Sequence, residues 1–161
     1  NKGTTSFDST GFTGDIVTTA SAATGAVTIA TKGAGTTSHS ITGSAQGDTI
    51  TVGSTGNVAY TVDGAGGTDT LNMTVTTGFA SMANISNVEN INMAVAAGVD
   101  ITLSNVAGIN DAAMNNFVLT GGNTLSTFKT GAVTGAATTE TIDASGFTGN
   151  IDLGIGILFP S

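Results

Sequence analysis

A glycine-and-aspartate turn followed by a short alternating strand recurs in this chain, and its spacing limits the folds available. The turn occurs at residues 43–48, before a strand at 49–52, and again at residues 64–69, before a strand at 70–73. The strand pattern returns without its glycines at residues 89–93. A period of about 20 residues is the length of one coil of a parallel β-solenoid. The spacing therefore predicts a chain wound into stacked coils.

Alternation of apolar and polar residues predicts which side chains face the interior of each coil. Successive side chains on a strand point to opposite faces, so one apolar residue per strand forms an inward column along the stack. The predicted column contains Phe7, Ile50, Leu71, Ile91 and Ile142, and the inward set continues with Val52, Met73, Val75 and Met93. The predicted fold class is all-β, a right-handed parallel β-helix (β-solenoid) with coils of about 20 residues. Residues 1–161 are predicted to form a single domain.

Weaker patterns complete the predicted path of the chain. Further strands are predicted at residues 26–29, 59–62, 99–103 and 117–119, and a glycine turn at 53–56. Residues 78–85 and 106–116 are each predicted to form a helical turn or a bulging loop. The interval from Glu89 to Glu140 is predicted to hold two coils and an insertion.

The composition excludes several classes of protein. The chain has 11 acidic and 3 basic residues, a net charge of −8 and no cysteine, and its basic residues are all lysines. A nucleic-acid surface needs many basic side chains to displace counterions from phosphates, so no nucleic-acid partner is expected. No apolar run of about 18 residues is present, so membrane insertion is not expected either. Many glycines and β-branched residues favour short strands joined by tight turns.

One phrase occurs twice, near the two ends of the chain. Residues 7–16 read FDSTGFTGDI, and residues 142–151 read IDASGFTGNI. The chain is therefore either one repeat of a longer array with the start of the next, or a solenoid in which one type of coil recurs. The acid pairs Asp8/Asp15 and Asp143/Asp152 fall in these repeated turns, so a structural role is expected for them rather than acid–base catalysis. His39 is the only histidine, and a surface or turn position is expected for it.

The two glycine turns resemble degenerate copies of the nonapeptide G-G-x-G-x-D-x-U-x. Glycines allow such a turn to aim backbone carbonyls at one point, and Asp48 and Asp69 add negative charge. Calcium takes six to eight oxygen ligands, so two adjacent coils would have to share one ion, with Asp63 as a further ligand. The alternative is a pair of metal-free turns in which Asp48 and Asp69 accept hydrogen bonds from backbone amides.

Three phrases, at residues 62–72, 85–92 and 142–149, resemble the RTX-containing bacterial surface-layer proteins, of which the Caulobacter type is an example, and related large repeat adhesins. This resemblance implies an extracellular parallel β-helix at the bacterial cell surface, type I secretion, and calcium in the turns. It also implies assembly into a lattice or filament. Cell-surface polysaccharide is a further partner that we expect. The matching motif positions would place the calcium ligands at Gly43, Asp48, Gly64, Gly66 and Asp69.

These observations predict a structural, self-assembling extracellular protein, either a surface-layer subunit or a filament subunit, which is stabilised by calcium and forms homopolymers. The alternative prediction is an adhesin module of a large type I-secreted repeat protein. An enzyme is not expected, because no nucleophile, histidine–acid or phosphate-binding motif is found in the sequence.

Overall fold

The computed structural model of the chain describes residues 5–34, 38–55, 59–76, 84–102, 116–123, 127–130 and 141–153. This described part is made of strands and turns and contains no helix. It therefore also contains no helix long and apolar enough to cross a bilayer. The strands are β1 (Thr5–Asp8), β2 (Ile16–Thr19), β3 (Val27–Ala34), β4 (Ser38–Thr42), β5 (Thr49–Thr55), β6 (Ala59–Asp63), β7 (Thr70–Val75), β8 (Asn84–Ser86), β9 (Asn90–Val95), β10 (Ile101–Thr102), β11 (Asn116–Gly121), β12 (Thr127–Thr130), β13 (Thr141–Phe147) and β14 (Asn150–Leu153).

The strands form three sheets in which every pairing is parallel. One sheet has seven strands in the order β1-β3-β5-β7-β9-β11-β13. A second has the order β2-β4-β6-β8, and a third has the order β10-β12-β14. Each coil thus adds one strand to the seven-stranded sheet and one to another sheet. This arrangement confirms the predicted all-β parallel solenoid, with coils of about 22 residues.

Apolar columns that run along the stack form the core. In the first column the strand register aligns Phe7, Ile29, Ile50, Leu71, Ile91, Phe117 and Ile142. The members from Ile29 to Phe117 are at most 1% exposed. A second column aligns Val52, Met73, Met93 and Leu119, all buried. The predicted inward residues with described side chains are therefore buried, except Phe7, and burial of each such side chain stabilises the fold by about 1.5–3 kcal/mol.

His39 lies in the interior, so the predicted surface or turn position was wrong. It is on β4 with 2% of its surface exposed, because it alternates with Ile41 on the inward face of that strand. Its Nδ1 is 2.8 Å from the Thr31 hydroxyl oxygen, and its ring centroid is 5.1 Å from that of Tyr60 on the next coil. Burial lowers the pKa of His39, with the Asp15 charge acting in the opposite direction. The aromatic neighbour and the hydroxyl partner allow a neutral imidazole to fill the core.

Coil length varies along the chain. Neighbouring coils are offset by 20 or 21 residues around Asp48, Asp69 and Asn92, and the offset from Asn90 to Asn116 is 26 residues. Asn116 begins β11, and β11 pairs with both β9 and β13. The interval between residues 89 and 140 thus holds two coils, as predicted, with the additional residues divided between them.

The minor sequence predictions had mixed outcomes. The strands predicted at residues 59–62 and 117–119 are present within β6 and β11, and the one predicted at 26–29 is present from Val27, where β3 begins. The predicted turn at residues 53–56 was wrong, because β5 continues to Thr55. The helical turn or loop predicted at residues 78–85 was wrong at 84 and 85, which belong to β8, and the one predicted at 106–116 was wrong at Asn116, which begins β11. Of the strand predicted at 99–103, β10 contains Ile101–Thr102. Residues 56, 78–83, 103, 106–115 and 140 lie outside the described residues.

Ile50→Ala tests the first core column. We expect a loss of about 2–5 kcal/mol in the free energy of unfolding, because the substitution leaves a cavity between two packed coils. Thr51→Ala is the matched control, since Thr51 is the next residue on the same strand and faces solvent. Urea unfolding followed by circular dichroism measures both, and equal effects of the two substitutions would contradict the assignment of inward and outward faces.

Candidate functional site

Three acidic residues occupy the same place in consecutive coils, and we call Asp48, Asp69 and Glu89 the carboxylate row. Each is the residue immediately before a strand of the seven-stranded sheet, and those strands pair in register through Thr49, Thr70 and Asn90. The acids therefore stack one above another at a single corner of the solenoid. Asp48 and Asp69 are 2% and 1% exposed.

Each carboxylate of the row accepts a hydrogen bond from a backbone amide of the preceding coil. Val27 N donates to Asp48 Oδ1 at 2.8 Å, and Asp48 N donates to Asp69 Oδ1 at 2.7 Å. Asp69 N donates to Glu89 Oε2 at 2.6 Å. A hydrogen bond to a charged acceptor contributes about 1.5–3 kcal/mol, more than a neutral one. The row thus joins successive coils at a point where the strand ladder has not yet begun.

The backbone carbonyls of the same three residues accept hydrogen bonds from amides of the following coil. Thr70 N donates to the Asp48 carbonyl at 2.9 Å. Asn90 N and Asn116 N donate to the Asp69 and Glu89 carbonyls, each at 3.0 Å. The backbone carbonyls of all three acids are therefore paired. The backbone amides of Asp48 and Asp69 are paired as well, as buried backbone groups normally must be.

The first glycine turn is closed around the Asp48 carboxylate. Ser44 donates to it twice, from its amide at 2.5 Å and from its hydroxyl at 2.9 Å. Gly43 lies so close that an added Cβ would sit 2.5 Å from both Asp48 Oδ2 and the Gly64 carbonyl oxygen. A side chain at Gly43 would collide with both, so the glycine permits the close approach of the carboxylate and of the next coil.

The second turn is held by Asp63 rather than by its own closing acid. Asp63 Oδ1 accepts from Ala65 N at 3.0 Å and from Asn87 Nδ2, one coil further on, at 2.8 Å. Ala65 stands at the second glycine position of the nonapeptide and has a φ of 72°. A left-handed conformation is strained for alanine, and the two bonds to Asp63 compensate for that strain.

Asp69 is the unbalanced member of the row. Its Oδ1 accepts from Asp48 N, but its buried Oδ2 has no hydrogen-bond donor among the described residues. Burial raises the pKa of Asp69 to about 6, the charges of Asp48, Glu89 and Asp63 act in the same direction, and the Asp48 amide opposes them. A buried anion surrounded by like charges favours its neutral form.

Asparagines form a second row on the outer face, beside the acids. Asn92 Nδ2 donates to Asn72 Oδ1 and Asn116 Nδ2 donates to Asn90 Oδ1, both at 2.9 Å. Asn90 Nδ2 also donates to the Asp69 carbonyl at 3.2 Å, which links this row to the carboxylate row. Side-chain amides repeated at the strand spacing form such ladders in stacked parallel sheets.

The predicted calcium ligands are brought together at one corner of two adjacent coils. The glycine amides there are engaged: Gly43 N donates to the Asp63 carbonyl, Gly64 N to the Ser86 carbonyl and Gly66 N to the Ser44 carbonyl. The Asp48 carboxylate accepts hydrogen bonds from three N–H or O–H donors, so most of its acceptor capacity is used within the protein. Calcium ligation by Asp48 stays a prediction. The described residues contain no group of three or more acids, histidines or cysteines arranged to hold a metal ion.

The hydrogen bonds that the metal-free alternative predicts are present at both Asp48 and Asp69. The sequence analysis did not assign Ser44, Asn87 or Glu89 to the site. Glu89 stands 20 residues after Asp69, so the coil period itself pointed to it. The repeated acids Asp8 and Asp143 lie on strands β1 and β13 rather than in turns. Each accepts a hydrogen bond from the backbone amide two residues further on, at 2.9 Å, as expected for a structural role.

Comparison with known proteins gave no match to a family model, to a curated protein or to a solved structure. The solenoid is therefore established by the strand pairing itself. What the protein does has to be argued from its surfaces and its carboxylate row.

Asp48→Ala tests the row as a structural device. We expect the free energy of unfolding to fall by at least about 2 kcal/mol, because the Val27 and Ser44 amides lose their acceptor, at about 1–3 kcal/mol for each buried donor left unpaired. Asp8→Ala is the control, since it removes a similar carboxylate–amide bond at an exposed turn and should change stability little. Chemical unfolding with a chelator present measures both, and a stability of Asp48→Ala equal to that of the control would contradict this role.

Asp69→Asn tests the buried charge. A group whose pKa is higher in the folded than in the unfolded protein stabilises the fold when it is protonated, so Asp69 makes the protein more stable as the pH falls from about 6 towards 4. We expect the amide variant to be more stable than the natural protein at pH 7.5 and to lose that advantage by pH 4.5. Melting temperatures across this range, with a chelator present, measure the difference. His39 also affects the pH dependence of stability, but it does so equally in both proteins. A difference that stays constant with pH would contradict the raised pKa.

Proposed function

We propose that this protein is a structural subunit that self-assembles into an extracellular layer or filament at a bacterial cell surface. The observation that carries the proposal is the seven-stranded parallel sheet with β1 and β13 as its edge strands. An edge strand presents backbone N–H and C=O groups that pair readily with another strand. The edge strands of this solenoid can therefore pair with strands of another molecule in the same way as neighbouring coils pair within one molecule.

The low charge density of the chain supports assembly under saline conditions. Only 9% of residues are charged, and the net charge is −8. Copies of one acidic molecule repel each other in dilute buffer, and salt screens that repulsion within about 8–10 Å at physiological ionic strength. The cell-surface location is proposed from the resemblance of residues 62–72 and 142–149 to surface-layer proteins.

Calcium is a separate part of the proposal and concerns the second turn only. Asp69 Oδ2 is buried without a described donor, and Asp63 carries a further negative charge next to the same turn. Burial and the neighbouring negative charges together raise the pKa of Asp69, and a divalent cation beside it would offset both effects. Gly64 and Gly66 would supply carbonyl oxygens there, because calcium prefers oxygen ligands of mixed type.

The calcium part is tested by thermal unfolding with and without millimolar calcium. We expect calcium to raise the melting temperature of the natural protein and to have no such effect on Asp69→Asn. Asp143→Asn is the control and should respond like the natural protein, because Asp143 is an exposed residue of β13 and is not part of the carboxylate row. If calcium leaves the natural protein unchanged, both turns act without an ion and the calcium proposal is wrong.

The assembly part is tested on the natural protein alone. Analytical ultracentrifugation and negative-stain electron microscopy over a range of protein and salt concentrations should show rods or sheets that increase with both. A protein that remains monomeric at all concentrations, with and without salt and calcium, would contradict the proposed function.

A further inference from the structure

The first coil leaves its member of the core column uncovered. Phe7 on β1 pairs in register with Ile29, yet 43% of its surface is exposed, whereas Ile29 is 1% exposed. The column members from Ile29 to Phe117 have a coil on each side and are at most 1% exposed. The exposure of Phe7 therefore comes from its place at the end of the stack and not from its orientation.

A cavity opens into the core at the same end. It has a volume of about 300 Å³, and apolar atoms dominate its walls. Its lining includes Phe7, Ala20, Ala23, Val27 and Ile29. The cavity thus leads from the outer side of the first coil to core residues of the second coil, Val27 and Ile29.

The repeated phrase shows how such a coil sits when another coil precedes it. Phe12 in the first copy of the phrase is 55% exposed, whereas its equivalent, Phe147, is 9% exposed. The Phe147 ring packs on Gly122 of the preceding coil, where an added Cβ would be 2.5 Å from the ring. Thr148 N, which follows that ring, donates to the Gly121 carbonyl at 3.0 Å. The same sequence therefore buries its phenylalanine against a preceding coil in one place and exposes it in the other.

We propose that the first coil of one molecule stacks on the last coil of a second copy, so that β13 of one molecule pairs in parallel with β1 of the next. This inference rests on the proposed assembly and specifies its geometry. A head-to-tail contact keeps every strand parallel, whereas a two-fold contact of β1 with β1 would be antiparallel. Because the contact is heterologous and does not close, it produces an open filament.

The last coil offers a matching surface. β13 and β14 are edge strands of their sheets, and 43% of the surface of Ile151 on β14 is exposed. The phrase register places Phe12 above Phe147 and Asp8 above Asp143, at about the 4.8 Å spacing of paired strands. Aromatic packing supplies the attraction, and the stacked aspartates make the contact dependent on salt.

Complementary blocking of the two ends tests the geometry. Phe12→Lys places a charge on the first coil, and Ile151→Lys places one on the last coil. Thr61→Lys is the control, because Thr61 is an exposed residue on β6, within the stack and away from both ends. We expect Thr61→Lys to form filaments like the natural protein and each end variant alone to remain monomeric. A mixture of the two end variants should stop at dimers, since each molecule keeps one functional end.

A cysteine pair provides a second measurement that does not depend on how well the lysine variants fold. Ser6→Cys combined with Thr141→Cys places the two thiols at equivalent positions of the repeated phrase. Paired strands separate equivalent Cα atoms by about 5 Å, within the range a disulfide spans. Because the natural chain has no cysteine, oxidation should produce a series of disulfide-linked multimers, and Thr61→Cys combined with Thr141→Cys should not.

The outcomes separate this inference from the proposed function. If the natural protein assembles but both end variants assemble equally well, or the cysteine pair forms no multimers, the head-to-tail geometry is wrong and self-assembly stands. Dimers of Ile151→Lys alone would also overturn it, since they would show contact between two first coils. If the natural protein never assembles, the proposed function fails and this inference fails with it.

Discussion

The structure depends on carboxylates that accept amide hydrogen bonds from the preceding coil. Parallel coils pair their strands in register, but a tight turn leaves its own amides without a ladder partner, and a buried amide has to be paired. Asp48 and Asp69 meet this requirement at the corner before the strand begins, and Glu89 does so one coil later. The row therefore fixes the register in which the apolar columns stack.

The same arrangement has an electrostatic cost at Asp69. Each acid pairs an amide of the preceding coil, but it also lies near the next acid, and these charges act together with burial on Asp69. Glycines at positions 43 and 64 allow the chain to pass within contact distance of the carboxylates. The turn sequence thus reflects two demands, an acceptor for the amides and space for that acceptor.

The coil period and the core column could be predicted because both follow from local spacing and alternation. Leu71 and Ile91 are buried in register for that reason. The burial of His39 was not predicted. Its partners Thr31 and Tyr60 come from other strands, and the alternation with Ile41 was too short a signal. The carboxylate bonds were predicted only as an alternative to calcium, since a glycine–aspartate turn has the same sequence in either case. The choice depends on which donors the preceding coil presents, and those lie about 20 residues away.

Hydrogen exchange of single amides shows directly whether the turn acids bind the amides of neighbouring coils. We expect the amides of Asp48 and Asp69, assigned by NMR, to exchange as slowly as the amides of the core strand β7. The amide of Thr10, which bonds to Asp8 at an exposed turn, should exchange much faster. Exchange of the Asp48 and Asp69 amides as rapid as that of Thr10 would contradict the carboxylate row as the contact between coils.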